Sequence, residues 1–152
     1  MFRGRFQQKS DSKGRVSLPP AYRQSFSEGQ TSLVITNSQY QGKRCLDVYT
    51  LDQWEKLERR VAKMPALKTE VQAFQRFYLS GGQVINIDGN SRFLIPAALR
   101  KYADLGDELV LVGMGHKFEV WPQGVWDLLC DDLAGDFESI LSSVAALEHG
   151  ED

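Results

Sequence analysis

The sequence predicts an α+β chain, mainly β, in which one small strand-rich unit occurs twice in tandem. An offset of 77 residues superposes three pairs of turn residues: Gly4 on Gly81, Asp11 on Asp88 and Arg15 on Arg92. Further along, Leu46–Tyr49 matches Phe118–Trp121 in the same order. Two blocks that recur in one order indicate an internal duplication.

Each copy predicts the same succession of elements. An opening strand leads to a tight turn, a short apolar strand that ends at proline, and a helical turn. Two further strands follow, indicated by β-branched runs between glycine-rich connections. We expect helical turns at 20–26 and 97–102, and strands near 33–36, 45–49, 109–112 and 118–121.

A helix closes each copy. In the first copy, Thr50 and Gln53 form a Thr-x-x-Gln capping box. The apolar residues after it recur at helical spacing and predict one buried face: Leu51, Trp54, Leu57 and Val61. Pro65 interrupts this helix. We assign the next apolar set to the core or to helix packing: Leu67, Val71, Phe74 and Phe77.

These elements divide the chain into a first repeat at 5–51, a helical connector at 52–80, a second repeat at 81–124, and a C-terminal helix with an acidic tail at 125–152. A copy of about 50 residues of short strands cannot bury both faces of its sheet alone. Pairing the copies about a pseudo-two-fold axis would close one barrel and remove exposed strand edges.

Composition excludes several classes of protein. The chain has 152 residues and is 42% apolar, which is enough for a packed core. No stretch approaches the roughly 18 apolar residues of a membrane span, and the start lacks the apolar run of a signal peptide. Cys45 and Cys130 favour a reducing cytoplasm over a disulfide framework. Two cysteines and two scattered histidines predict no metal site.

Charge is distributed unevenly along the chain, although the net charge is only −2. Residues 1–23 carry six Lys or Arg and one Asp, whereas residues 127–152 carry eight carboxylates and no Lys or Arg. Electrostatic attraction is screened beyond about 10 Å at 0.1 M salt, so local charge matters more than the sum.

An Asp-x-x-x-Arg element occurs in both copies. Asp11 suits the start of a tight turn because its carboxylate can accept backbone N–H groups two residues on. Gly14 permits a positive φ. Arg15 then leaves the turn with its guanidinium held near the Asp. Asp88 and Arg92 repeat the pattern, so we interpret Asp11, Gly14, Asp88 and Arg92 as a structural turn motif.

A row of cations belongs to the first copy alone. Strand alternation places Arg3, Arg5 and Lys9 on one face, and the matching positions of copy two are uncharged. Because copy two folds without them, we interpret these cations as functional. A cationic two-stranded ribbon suits double-stranded DNA. Arg3, Arg5, Lys9 and Lys13 are candidate phosphate contacts, and Arg15 is a candidate for a guanine edge.

The motifs resemble those of the MraZ family of transcriptional regulators. The segments that carry the resemblance are Met1–Gly4, Asp11–Pro19, Asp88–Pro96 and Lys117–Trp121, and it extends to about residue 134. Ser10 stands where the family has an apolar residue, and Ser91 stands where it has glycine. The resemblance implies two AbrB-like swapped-hairpin halves that form one double-psi-type barrel with flanking helices.

The same resemblance implies a function. It implies a cytoplasmic, nucleoid-associated regulator that assembles as a homo-oligomeric ring. It also implies binding to repeated boxes upstream of its own operon, in the cell-division and cell-wall gene cluster. The DNA contacts of the family carry over to Lys13, Arg15 and Arg3.

Two other functions compete with this one. A protein-interaction module, antitoxin-like or a scaffold of the division machinery, would act through the acidic segment after Asp127. An enzyme would need Asp11 and Asp88 as an acid/base pair, yet each is neutralised by its own Arg. No nucleophile has a plausible His partner and no phosphate-binding glycine loop occurs. We therefore expect no catalysis and no cofactor.

Overall fold

The computed structural model describes residues 1–150 and forms an α+β fold around antiparallel strands. The strands are β1 (Arg5–Lys9), β2 (Arg15–Ser17), β3 (Ser32–Tyr40), β4 (Lys43–Thr50), β5 (Gln83–Asn86), β6 (Arg92–Leu94), β7 (Glu108–Gly113) and β8 (Phe118–Pro122). The helices are α1 (Pro20–Arg23), α2 (Leu51–Ala62), α3 (Thr69–Phe74), α4 (Ala97–Tyr102), α5 (Gln123–Gly135) and α6 (Phe137–Gly150), and a π-helical turn spans Gln75–Leu79.

The sheet topology is symmetric under exchange of the two copies. Six strands form one antiparallel sheet in the order β1-β7-β8-β4-β3-β5, and β2 pairs with β6 in a separate two-stranded sheet. Exchanging β1 with β5, β2 with β6, β3 with β7 and β4 with β8 leaves both orders unchanged. A pseudo-two-fold axis therefore passes between β4 and β8 and between β2 and β6.

Strands from one copy complete the sheet of the other. β1 pairs with β7 along Arg5–Lys9, and β5 pairs with β3. β2 pairs with β6 and not with β1. The two strands that flank the first turn therefore do not form a ribbon with each other, because each finds its partner in the second copy. The sheet ladders leave β1 and β5 as edges.

The main core lies between the two sheets. Val16 of β2 and Phe93 of β6 are almost fully buried and close over the inner face of the large sheet, which includes Leu46 and Val120. Tyr22 of α1 is also buried, and its hydroxyl donates to the carbonyl oxygen of Gly4 at 2.5 Å. Both copies contribute to this core, so burial of apolar area stabilises them together.

The connector begins as its pattern predicts. The backbone N–H of Gln53 donates to Thr50 Oγ1 at 3.2 Å, which confirms the N-cap. The buried residues of α2 are Trp54, Leu57 and Val61, which pack on Val34 and Tyr49. The helix ends at Ala62, before Pro65.

The second segment of the connector differs from the prediction. Leu67 is 91% exposed, and Phe74 and Phe77 are partly exposed. The Phe74 ring stacks on that of Tyr78, and the Phe77 ring meets that of Tyr102 edge to face. The prediction of core or helix packing was wrong for Leu67, because it precedes α3 and lies in solvent, whereas Val71 packs against the buried cluster of Val34 and Tyr49.

The helix α5 covers the outer face of β7 and β8. Leu129 of α5 is buried against Val110 and Trp121, whereas α6 has no buried side chain. Glu151 and Asp152, at the end of the predicted acidic tail, lie outside the described residues. Within residues 1–150, no helix is long and apolar enough to cross a membrane.

Candidate nucleic-acid interface

The first turn is held by one carboxylate. Asp11 Oδ1 accepts the backbone N–H of Lys13 and of Arg15, both at 2.9 Å, and Asp11 Oδ2 accepts Arg15 Nε at 2.6 Å. The N–H of Gly14 donates to the carbonyl oxygen of Asp11 at 3.0 Å. One side chain thus fixes the turn and orients the guanidinium.

The second turn repeats this geometry. Asp88 Oδ1 accepts the N–H of Asn90 at 2.8 Å and of Arg92 at 3.0 Å, and Asp88 Oδ2 accepts Arg92 Nε at 3.2 Å. Ser91 has φ 57°, in the left-handed region where Gly14 has φ 89°. The turn therefore keeps its shape although serine replaces glycine, at a cost in backbone strain.

Both carboxylates are stabilised as anions. The backbone N–H of Arg15 is the largest influence on Asp11, and with the other donors it lowers the pKa of that carboxyl to about 2. The N–H of Arg92 likewise lowers the pKa of Asp88. Donors to the ionised form lower a carboxyl pKa, so neither group is suited to act as a general acid near pH 7.

The β2–β6 ribbon places both arginines on one exposed face. Arg15 lies opposite Leu94, and Ser17 lies opposite Arg92. The inner face of the ribbon carries the buried Val16, so these four residues share the outer face. Arg15 and Arg92 are then diagonal neighbours, about 7–8 Å apart in such a ladder.

The pairing of β2 with β6 was missed in the sequence, which left open whether Arg92 contacts DNA or only braces the barrel. The repeat alignment alone does not say which strands pair. A two-fold relation between β2 and β6 would have predicted that these two strands pair with each other. The side chains of Arg15 and Asp11 are 36% and 34% exposed, and those of Arg92 and Asp88 are 30% and 39% exposed. Both clamps are therefore accessible from solvent.

The two turns differ in charge at one position. Lys13 is exposed in the first turn, and Asn90 occupies the equivalent place in the second. Gly14 is buried, and a Cβ atom there would lie 2.6 Å from Arg100 Nε. Arg100 comes from copy two and donates through Nε to the carbonyl oxygen of Ile95 at 3.0 Å. The cationic turn is thus supported from the other copy.

The cations of β1, Arg5 and Lys9, lie on a different face from the ribbon. Arg3, Arg5 and Lys9 are exposed, as the alternation predicts. Directly opposite residues in a ladder share a face. Lys9 therefore sits beside Glu108, its ladder partner, on the outer face that α5 covers. Glu108 reduces the positive potential at Lys9.

Arg5 is engaged with α5. Its Nη1 atom lies 3.1 Å from Cys130 Sγ, and its guanidinium carbon lies 5.7 Å from the centre of the Trp126 ring. Asp127 and Asp131 line the same cleft. The structure therefore separates Arg5 from the ribbon that carries Lys13 and Arg15.

The fold and this surface define a class of protein. It is a strand-exchanged tandem repeat that displays two Asp–Arg turns on one exposed ribbon and one extra lysine beside them.

Comparison with known proteins identifies the family. The profile described as "MraZ protein, putative antitoxin-like" matches residues 1–77 and 78–141. The chain belongs to the MraZ family, which confirms the resemblance in the motifs. "Transcriptional regulator MraZ" of Acidithiobacillus ferrooxidans is 39% identical over 130 residues, 84% of this chain and 86% of the relative. The protein of that name in Hydrogenovibrio crunogenus is 34% identical over 149 residues, 95% of this chain and 97% of the relative.

Proposed function

We propose that this chain is a DNA-binding transcriptional regulator that recognises repeated boxes upstream of its own operon, in the cell-division and cell-wall gene cluster. The names of the relatives support a regulatory role. The observation that carries the DNA contact is the exposed ribbon with Arg15 and Arg92 held in matching clamps. We place the protein in the cytoplasm, associated with the nucleoid.

The ribbon is the part that enters the major groove. Two antiparallel strands fit the groove, which is about 12 Å wide. Each Asp holds its arginine through Nε, so the terminal amino groups remain available for a bidentate contact. Arg15 and Arg92 are suited to guanine O6 and N7, and Lys13 is suited to an adjacent phosphate.

The cations of the N-terminal segment contribute at the periphery. Arg3 and Lys9 contact phosphates only where bound DNA extends beyond the ribbon, and Glu108 reduces the attraction at Lys9. Arg5 reaches a phosphate only if it leaves Trp126 and Cys130. We therefore order the candidates with Lys13 and Arg15 first, Arg3 and Lys9 next, and Arg5 last.

The proposal assumes the AbrB-like form of the fold. In that form the two turns and the exchanged strands close a double-psi-type barrel from two swapped hairpins. Two observations support it. The exchange of β1 and β5 between copies is one. The other is a pair of backbone hydrogen bonds across the axis. The N–H of Leu18 donates to the carbonyl oxygen of Ser91 at 2.8 Å, and the N–H of Ile95 donates to that of Gly14 at 3.0 Å.

We also propose that copies assemble into a homo-oligomeric ring through two unlike surfaces. One is a cationic stripe along α2 and its C-cap residue, which consists of Lys56, Arg59, Arg60 and Lys63, all exposed. The other is α5–α6, where residues 123–150 carry six carboxylates and no Lys or Arg. The exposed apolar residues of α6 add area to this contact: Phe137, Leu141, Val144 and Leu147. Unlike surfaces on opposite flanks generate rings when the rotation closes.

Charge reversal tests the assembly. We expect the R59E/R60E and D131K/D132K variants each to lose oligomers in light scattering after size exclusion, and their combination in one chain to restore them. K101E, an exposed charge reversal on α4, should assemble normally. Full assembly of both reversal variants would contradict the two surfaces.

The DNA contact is tested on the fragment upstream of the chain's own gene. We expect R15A to abolish specific binding in mobility shifts while thermal stability and assembly stay near wild type. K101A removes an exposed cation outside the ribbon and should bind as wild type does. Equal affinity of R15A and wild type across a salt series would refute the proposal.

A second candidate function rests on α6. Its unburied apolar stripe also fits a protein-interaction module, antitoxin-like or a scaffold for division proteins. Deletion of residues 135–152 separates the two cases. Unchanged DNA binding with loss of a co-purifying partner would favour this second function.

A further inference from the structure

A polar cluster lies on the outer face of β4 and β8, away from the ribbon. Asp47 of β4 faces Glu119 of β8 directly in the ladder, and Cys45 lies two residues before Asp47 on the same face. One candidate ligand atom of each residue lies within 4.8 Å of the other two. Cys45 and Asp47 are fully buried and Glu119 is partly buried.

The buried carboxylate of Asp47 is only half satisfied. Its Oδ2 accepts the hydroxyl of Tyr78 and, at 2.7 Å, the ammonium of Lys117. Its Oδ1 is buried and has no hydrogen-bond partner among residues 1–150. A buried acceptor without a donor or a cation is destabilising, and such groups are rare in folded proteins. The unpartnered oxygen belongs to the residue that also forms the cluster with Cys45 and Glu119.

We propose that Cys45, Asp47 and Glu119 bind a divalent, thiophilic metal ion of the Zn²⁺ class. Asp47 supplies Oδ1, since its Oδ2 is already used, and Cys45 supplies its sulfur. On binding, the S–H bond of Cys45 breaks, its proton goes to solvent, and the thiolate electron pair forms the bond to the metal. No oxidation or reduction takes place.

The charges of the loaded site balance. One thiolate and two carboxylates carry three negative charges. The ion carries two positive charges, and the ammonium of Lys117 beside Asp47 supplies the third positive charge. A buried site with no net charge avoids most of the desolvation penalty of isolated ions. Lys117 occupies the repeat position of Cys45, so the two copies supply a cation and a ligand at equivalent places.

The geometry is close to that of zinc. Bonds of about 2.0–2.3 Å in a tetrahedron separate neighbouring ligand atoms by about 3.3–3.8 Å. The three atoms lie within 4.8 Å, so small side-chain rotations bring them to that separation. The sulfur ligand favours Zn²⁺ over Mg²⁺ or Ca²⁺, which prefer sets of oxygen ligands. Water completes the coordination.

Such an ion would join the two copies. β4 belongs to the first copy and β8 to the second, and they meet at the pseudo-two-fold axis. The expectation of no metal site considered only cysteines and histidines. The repeat alignment places Asp47 on Glu119 and therefore brings two carboxylates together at the axis.

Cobalt provides the test on the purified full-length protein. After chelation and dialysis, we expect added Co²⁺ to produce a near-ultraviolet sulfur-to-cobalt charge-transfer band, which Zn²⁺ then removes. C45S should lose the band. C130S changes the chain's other cysteine and should retain it. Saturating Zn²⁺ should raise the unfolding midpoint of wild type and C130S and leave that of C45S unchanged.

Glu119 gives a second variant at the less buried position. We expect E119Q to fold and to weaken Co²⁺ binding at least tenfold in a titration of the band. The proposal is overturned if folded wild type gives no band, if C45S keeps it, or if C130S loses it. It is also overturned if E119Q binds Co²⁺ as tightly as wild type.

Discussion

Replacing Lys13 with asparagine removes one charge and copies a turn that the protein already contains. Asn90 occupies the equivalent position of the second turn. Its backbone N–H donates to Asp88 Oδ1 at 2.8 Å, as that of Lys13 donates to Asp11 Oδ1 at 2.9 Å. The clamp uses only the main chain at this position, and the lysine side chain is exposed. We therefore expect K13N to change unfolding free energy by less than about 0.5 kcal/mol.

The magnitude of the effect on DNA follows from counterion release. Each phosphate that a protein neutralises adds about 0.9 to the slope of log K against log salt. If Lys13 contacts one phosphate, K13N lowers that slope by about 0.9 for each bound subunit. If K13N and wild type bind DNA equally at 1 M salt, the same relation makes the affinity of K13N about fivefold lower per subunit at 0.15 M salt.

Fluorescence anisotropy on the upstream DNA fragment, at several potassium chloride concentrations, measures both quantities. The reciprocal variant, N90K, adds a lysine to the second turn. It should steepen the slope by a similar amount if both turns face DNA, since they share the ribbon. An unchanged slope for K13N, in protein that assembles like wild type, would refute the assignment of Lys13 to a phosphate.

Three further predictions concern the turns. G14A should lower the free energy of unfolding by more than about 1 kcal/mol, because Gly14 has a φ of 89° and the new Cβ would meet Arg100. Urea titration measures this change, and an unchanged free energy would contradict the left-handed conformation of Gly14. S91G should raise the free energy of unfolding by up to about 1 kcal/mol, since glycine removes the strain of φ 57° at this position. A lower free energy of unfolding would show that the serine side chain stabilises the turn. The pKa of Asp11 is lowered in the folded state. The stability that its ionised carboxylate contributes is therefore present above the ordinary pKa of 3.8 and is lost as pH falls towards about 2. In thermal melts, D11N should therefore have a lower melting temperature than wild type at pH 7 and nearly the same melting temperature near pH 2. A difference in melting temperature that persists at pH 2 would contradict the role of the Asp11 carboxylate in holding the turn.

The repeat predicted the succession of elements well because local signals carry it. The helical turn at 97–102 and the cap at Thr50 occur where capping and spacing place them. The Asp–Arg turns were also accessible to sequence reasoning, since Asp11 and Arg15 are four residues apart and interact within one turn. Such features need no knowledge of the partner strand.

Features that depend on long-range pairing were not accessible in the same way. A strand pattern does not say which copy supplies its partner, so the pairing of β1 with β7 and the position of Arg92 beside Arg15 were missed. Arg5 satisfies the same alternation as Lys9. Only the packing of α5 shows that its guanidinium lies on Trp126.

The duplication within one chain also explains why the ribbon has a direction. A homodimer with a true two-fold axis would present identical turns and read inverted half-sites equally well. Here the axis relates Lys13 to Asn90, so the two ends of one ribbon differ by a positive charge while the clamps remain alike. The charged end favours one orientation over the groove, because phosphate attraction is local. Divergence at a single exposed position can therefore give polarity to a symmetric scaffold without disturbing its fold.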